Sequence, residues 1–284
     1  IQPAAGDAGG ALGTALFIWH QLLGNERRAQ NPDGQTGSLL GPSFSEREIR
    51  TFLDGTGAVY RRFEDEGVLD SEIVDLIENE NVVGLFQGRM EFGPRALGCR
   101  SIIGDARSRD MQSVMNLKIK FRESFRPFAP IVLRERVSDY FEMEEDGDSP
   151  YMLLVADVAK NKRLAVSDDG ANGLDKLKVI RSEVPAITHV DNSARVQTVD
   201  PERHQRLHRL MSCFFERTGC PVMINTSFNV RGEPIVCSPE HAYHCFMGTE
   251  MDVLVLQNFL LLKEEQPKKG APDRDTDLAQ FELD

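Results

Sequence analysis

Short apolar runs, each no longer than one strand, decide what this chain can fold into. Val82-Val83-Gly84-Leu85-Phe86 is of the kind that forms a strand buried in a sheet. Similar stretches predict strands at Ala129–Leu133, Met152–Val158, Pro185–Val190, Val222–Asn225 and Val253–Leu256. Helices are predicted at Gly6–Leu23, from Ser45 onward, and at Asp70–Glu80, Asp110–Ile119, Pro201–Arg217 and Pro239–Met247. Ser45 and Glu48 stand at the spacing of a reciprocal cap, ahead of Ile49, Phe52 and Leu53 on one helical face. Strands interspersed with helices, without a strict βαβ rhythm, imply an α/β or α+β fold on a mixed sheet. Asn25–Pro42 reads as linker, and the charged, proline-containing stretch after Lys263 as a frayed tail.

At 284 residues and 40% hydrophobic, the chain can bury a full core as one large or two small domains. Its longest early apolar stretch is broken by Gly10, Gly13 and His20, so no membrane span is expected. It starts at Ile1 and enters a Gly/Ala-rich motif at once, which reads as a fragment of a longer protein. Five cysteines without a C-x-x-C spacing signal neither a disulfide framework nor a zinc ribbon, and fit a reducing, cytoplasmic setting. A net charge of −12 makes nucleic acid an unlikely partner, so any anion site is a local exception.

That exception runs from Gln87 to Pro130. Gly88, Gly93 and Gly98 permit close backbone approach to a ligand, while Arg89, Arg95 and Arg100 supply forked donors for phosphate or carboxylate oxygens. Pairing with surface carboxylates such as Glu91, Asp105 and Glu123 is the alternative for any one arginine. Lys118, Lys120 and Arg122 alternate, which on extended backbone sets neighbouring charges on one side, and Pro127 and Pro130 favour an extended path after Arg126.

A second constellation, Met223 to Pro234, runs a hydrophobic strand into Asn225, Thr226, Ser227 and Asn229, which either contact a ligand or build an ordinary turn. Arg195 sits in a polar turn of weaker promise. Asp7, at a glycine turn, either caps the following helix or ligates a metal. His204 and His208 stand one turn apart without the metalloprotease glutamate and read as helix-surface residues; Walker and Rossmann glycine patterns are absent.

Gln87–Ser101, Asn116–Pro130 and Asn225–Ile235, in that order, resemble the signature of the O-carbamoyltransferase family of nodulation-factor and antibiotic-tailoring enzymes. The resemblance implies a YrdC-like domain over 41–264, a twisted mixed α/β sheet with flanking helices, that reacts carbamoyl phosphate with ATP and Mg²⁺ to give carbamoyl adenylate. It implies that residues 1–40 are the helical end of an actin-like ATPase-fold domain plus linker, and that 265–284 form the tail. The rest of that N-terminal domain passes the carbamoyl group to a hydroxyl of a small-molecule acceptor. Arg95, Lys120 and Arg126 match positions that hold carbamoyl phosphate or the adenylate phosphate; Arg195, Asn225 and Ser227 match others lining the pocket, with Arg89, Arg122 and Arg231 in second rank. Asp7 matches a ligand of a divalent metal, Fe²⁺ or another, whose partner histidines lie upstream of this chain. Alanine at Arg95 or Lys120 is expected to weaken carbamoyl phosphate binding and leave the fold intact. A threonylcarbamoyl-adenylate synthase shares the implied fold, but Gln87–Ser101 and Pro3–Ala15 favour the carbamoyltransferase. A non-catalytic nucleotide- or RNA-binding module is disfavoured by the overall acidity.

Overall fold

The computed structural model describes residues 3–4, 6–30, 34–145, 147–165 and 179–267. Its strands are β1 (Arg61–Arg62), β2 (Val83–Phe86), β3 (Arg100–Asp105), β4 (Ala129–Leu133), β5 (Leu154–Asp157), β6 (Ser193–Val199), β7 (Val222–Ser227), β8 (Val253–Leu256) and β9 (Phe259–Leu262). They form one sheet in the order β1-β9-β8-β2-β3-β7-β4-β6-β5. Pairing is parallel in β2/β8 and β4/β6 and antiparallel elsewhere, so the expected α/β fold on a mixed sheet is what the chain adopts.

The helices are α1 (Asp7–Phe17), α2 (Glu46–Thr56), α3 (Glu66–Glu78), α4 (Met111–Val114), α5 (Val137–Tyr140), α6 (Pro201–Thr218) and α7 (Pro239–Gly248). Wider π-type turns extend α1 over Ile18–Leu22 and α4 over Met115–Ile119. α6 packs along β4, β6 and β7 and against α3. α4 covers the sheet face opposite Asn225, where Gly104 leaves room for Met111 and Met115. Phe86, Phe214, Phe228, Phe246 and Phe259 are fully buried, each contributing about 1.5–3 kcal/mol of apolar burial.

The reciprocal cap forms as expected, with the Ser45 N–H donating to Glu48 and the Glu48 N–H to the Ser45 hydroxyl. The strand expected at Pro185–Val190 does not form. Pro185 has no N–H for a ladder and opens a 3₁₀ turn, Pro185–Ile187, closed by the Ser182 and Thr188 hydroxyls. The extended reading of Lys118–Arg122 fails as well, because Lys118 lies within the π turn and Lys120 caps it. The linker ends in ordered structure: Ser38 is buried, and the Leu40, Gly41 and Pro42 carbonyls accept from arginines. Gln266, expected to lie in the frayed tail, is instead buried and bonds both the N–H and the carbonyl of Val59; residues 268–284 lie outside the described ones.

α1 and its extension bury no residue, and Leu16, Phe17, Ile18, Trp19, Leu22 and Leu23 are all exposed. Gly6 holds the N-cap position, so Asp7 does not cap this helix; it stands exposed in the first turn. No helix among the described residues is long and apolar enough to cross a membrane.

Candidate anion-binding site

The connection between β2 and β3 folds back over the sheet and is fastened at many points. Glu91 is buried and accepts from the N–H groups of Leu97, Cys99 and Arg100, so it organises the loop instead of pairing with a surface arginine. Arg100 is fully buried, its guanidinium 3.6 Å from the Phe86 ring centre and donating to the carbonyls of Gln87, Cys99 and Pro42. Arg89 donates to the Leu40 and Gly41 carbonyls. Both arginines are structural ties. Gly98, with φ 116°, lies against Leu207 and His204 of α6, so its missing side chain serves packing against a helix, not close approach of a ligand.

Arg95 is the arginine of this loop that remains, half-buried and with neither carboxylate nor carbonyl partner among the described residues. Its charge acts on Arg195, whose guanidinium is held below its usual range by burial and then by the charge of Arg95. Arg195 rests one nitrogen 3.6 Å from the Met152 sulfur, and its Nε is buried with no hydrogen-bond partner. Leu97, Ala129, Tyr151 and Met152 form a small buried apolar cluster at this place.

Two buried amides hold the floor. Asn225 Nδ2 donates to the Ala96 carbonyl at 3.2 Å and to Gln197 Oε1 at 2.7 Å; Gln197 Nε2 donates to the Leu97 carbonyl at 2.9 Å. Gln197 lies two residues beyond Arg195 on β6, so both project from the same face, and Ser227 follows Asn225 on the same face of β7. Asn225 Oδ1 is buried and unpartnered. Sequence reasoning missed Gln197 because a lone glutamine in a polar-looking strand carries no signal; only register against β4 and β7 reveals it.

Lys120 is buried at the end of its π turn and donates to four oxygens: the Ser227 carbonyl and hydroxyl, and the Asn229 carbonyl and side-chain oxygen. Burial pushes its ammonium down to about 7, with Cys245 opposing and Arg122 reinforcing that shift. Arg122 donates to Asn116 Oδ1 at 2.6 Å and lies 4.9 Å from the Phe128 ring centre, and burial lowers it to about 10. Asn116 also donates to the Ser124 and Arg126 carbonyls, so it shapes the whole turn. Arg126 is exposed and paired with Glu123 at 2.8 Å, the ordinary surface ion pair weighed as the alternative. Arg231 also acts on Glu123 through its charge. The structure therefore joins Arg95 with Arg195 and Asn225, and Lys120 with Ser227, while Arg89 is tied elsewhere.

His204 is not a surface histidine. It departs from helical geometry inside α6 and turns its Nε2 to within 3.3 Å of the Cys99 sulfur. Burial, then secondarily the charge of Arg206, pushes its imidazole down to about 4 from an ordinary 6.5, against its own backbone hydrogen bond and Asp200. A depressed pKa stabilises the fold fully above the unfolded value and ceases to do so as pH falls through the folded one, so up to about 3 kcal/mol should vanish between pH 6.5 and 4. Thermal melts across that window should show this loss in wild type and a flatter profile in His204→Gln; parallel profiles would remove His204 as the cause.

Among the described residues no group of three or more His, Cys, Asp or Glu is placed to hold a metal ion. Asp7 is exposed and belongs to no such group among the described residues.

The fold is a mixed α/β module in which Arg95 and Arg195 lie without a carboxylate partner among the described residues, beside the buried amides of Asn225 and Gln197. Residues 74–263 match the family described as Carbamoyltransferase C-terminus, and this chain belongs to that family. An uncharacterised Synechocystis protein, sll1178, is 57% identical over 100% of this chain and 46% of its own length. Nodulation protein NolO of Bradyrhizobium diazoefficiens is 37% identical, covering 93% of this chain and 44% of its own. The 3'-hydroxymethylcephem-O-carbamoyltransferase of Streptomyces clavuligerus is 31% identical over 83% and 38% respectively. The chain spans less than half the length of these relatives.

Proposed function

We propose that this chain binds carbamoyl phosphate and ATP in the pocket of Arg95, Arg195, Asn225, Ser227 and Lys120 and forms carbamoyl adenylate. In the longer protein the carbamoyl group then passes to a hydroxyl of a small-molecule acceptor. The observation that carries this reading is that Arg95 and Arg195, both half-buried, lie close enough for the charge of one to act on the other and have no carboxylate partner among the described residues. Two partly buried like charges repel and lose hydration, a cost an anion relieves, and a phosphate matches their forks. Membership in the carbamoyltransferase family supplies the carbamoyl group as the transferred unit.

Water first cleaves the donor to carbamate and inorganic phosphate. A carbamate oxygen then attacks the α-phosphorus of ATP and pyrophosphate leaves. Arg95, Arg195 and Lys120 stabilise the charge on the transferring groups, and Mg²⁺ arrives with the nucleotide. Leu97, Tyr151 and Met152 wall one side and limit access of bulk water to the carbamate. We assign α1 and its bare apolar surface to the end of an actin-like ATPase-fold domain, with the iron ligands beyond Asp7 supplied by that domain. The free cysteines suit a cytoplasmic protein.

The test is ATP–pyrophosphate exchange by the purified chain with Mg²⁺. Exchange that requires carbamoyl phosphate is the expected result. Absence of exchange together with absence of calorimetric binding of both ligands would sink the reading.

A further inference from the structure

His204 is held at both ring nitrogens, and the two contacts fix where its proton lies. α6 departs from helical geometry at this residue, and Nδ1 accepts from the Leu207 N–H at 3.3 Å. A ring nitrogen that accepts carries no proton, so the neutral imidazole carries its proton on Nε2, 3.3 Å from the Cys99 sulfur. The other neutral tautomer and the imidazolium would each set a proton on Nδ1 against the Leu207 N–H. Burial, then the charge of Glu91, pushes the Cys99 thiol well above its usual range, while burial keeps the imidazole neutral. The contact is therefore an N–H donating to a neutral sulfur, and not a thiolate paired with an imidazolium.

Cys99 stands where the β2–β3 connection returns to the sheet. Its N–H donates to Glu91, and its carbonyl accepts from the Gln87 N–H and from Arg100. Just ahead of it, the Ala96 and Leu97 carbonyls accept from Asn225 and Gln197. Those ties come from the loop itself and from the strands. Cys99, 1% exposed, and Gly98 lean instead on α6, where a carbon added to Gly98 would collide with Leu207 and lie 3.2 Å from His204 Nε2. We propose that His204, as the Nε2–H tautomer, is a positioning residue for donor binding: it braces Cys99 from α6 and so sets the return leg of the loop that presents Arg95. This rests on the reading of Arg95 as a donor contact, and adds a residue that acts on the donor only through Cys99.

Asparagine and glutamine separate the two duties of the ring. His204→Asn keeps an acceptor at the Nδ1 position and removes the donor to sulfur, whereas His204→Gln keeps a donor at the Nε2 position and removes the acceptor. Each variant loses one hydrogen bond, so thermal melts should fall alike. Calorimetric affinity for carbamoyl phosphate should drop about 3–10-fold in His204→Asn and stay within about twofold of wild type in His204→Gln. Cys99→Ala should match the loss in His204→Asn, and the two changes together should cost no more than either alone. With nitrogen-15-labelled histidine, two-bond proton–nitrogen correlations at neutral pH should show the Nε2–H pattern for the signal that vanishes in His204→Gln. Equal affinity of the two His204 variants, additive losses in the double variant, or a proton on Nδ1 overturns the brace and leaves the carbamoyl phosphate site standing. Absence of binding by wild type removes the donor reading, and the brace with it. Should His204→Asn fail to fold, Cys99→Ala carries the test, and wild-type affinity there overturns the proposal.

Discussion

Arg195→Ala should weaken carbamoyl phosphate binding by about 10–150-fold, the worth of one charge-assisted hydrogen bond, and should not destabilise the protein. The two effects separate because of what Arg195 lacks. Its Nε is buried without a partner, its charge is opposed by Arg95, and its visible polar contact is a thioether. Removing such a group deletes a desolvation penalty and a like-charge repulsion, so the melting temperature should hold or rise. Arg95→Ala should behave the same way. Arg100→Ala is the contrast, since its guanidinium satisfies the Gln87 and Cys99 carbonyls of the β2–β3 connection and the Pro42 carbonyl ahead of α2, and its loss leaves them bare. Calorimetry paired with thermal melts reads both quantities. Normal affinity, or a clear loss of stability, in Arg195→Ala would show that this arginine is structural.

Lys120→Met should lower stability by about 2–4 kcal/mol, because four oxygens gathered from Ser227 and Asn229 lose their common donor. The sequence alone predicts an intact fold for a Lys120 variant, and the structure revises that: this lysine ties the π turn after α4 to the loop that leaves β7. Its pH signature has a definite sign. The folded ammonium titrates at about 7, while an unfolded lysine keeps its proton to about 10.4. Between those values the unfolded chain holds more protons, so stability rises with pH across the window and declines as pH falls through 7. Affinity for a phosphate should move oppositely, weakening above pH 7 as the pocket loses a positive charge. Lys120→Met should abolish both trends, and persistence of either would assign it to another group. Denaturant melts and phosphate titrations from pH 6 to 10 give the measurement.

What was legible in the sequence follows from how far each signal reaches along the chain. Strands β2, β4, β7 and β8 announce themselves because sheet interiors demand apolar residues in succession. β3 and β6 stay hidden because buried polar groups interrupt them, Arg100, Ser101 and Asp105 in the one and Gln197 in the other, and the ties of Arg100 to Pro42 and of Gln197 to Leu97 span long stretches of chain. The same non-locality explains the site. Nothing in the spacing of Arg89, Arg95 and Arg100 tells which of them is spare, because that depends on Leu40, Gly41 and Pro42 reaching back to take two of the three. Glu91 looks like a surface acid beside arginines, yet three backbone N–H groups enclose it.

The strand order also governs when the pocket can exist during folding. Arg95 comes from the loop between β2 and β3, Arg195 from β6 and Asn225 from β7, and β7 joins those two parts of the sheet by pairing with β3 on one side and β4 on the other. Every one of those pairings joins distant stretches of chain, the arrangement that makes folding slow. No early hairpin or collapsed half can present the assembled cations. In a refolding experiment, recovery of phosphate binding should therefore lag helix formation and coincide with the final closure of β7, making ligand capture a clock for completion of the sheet.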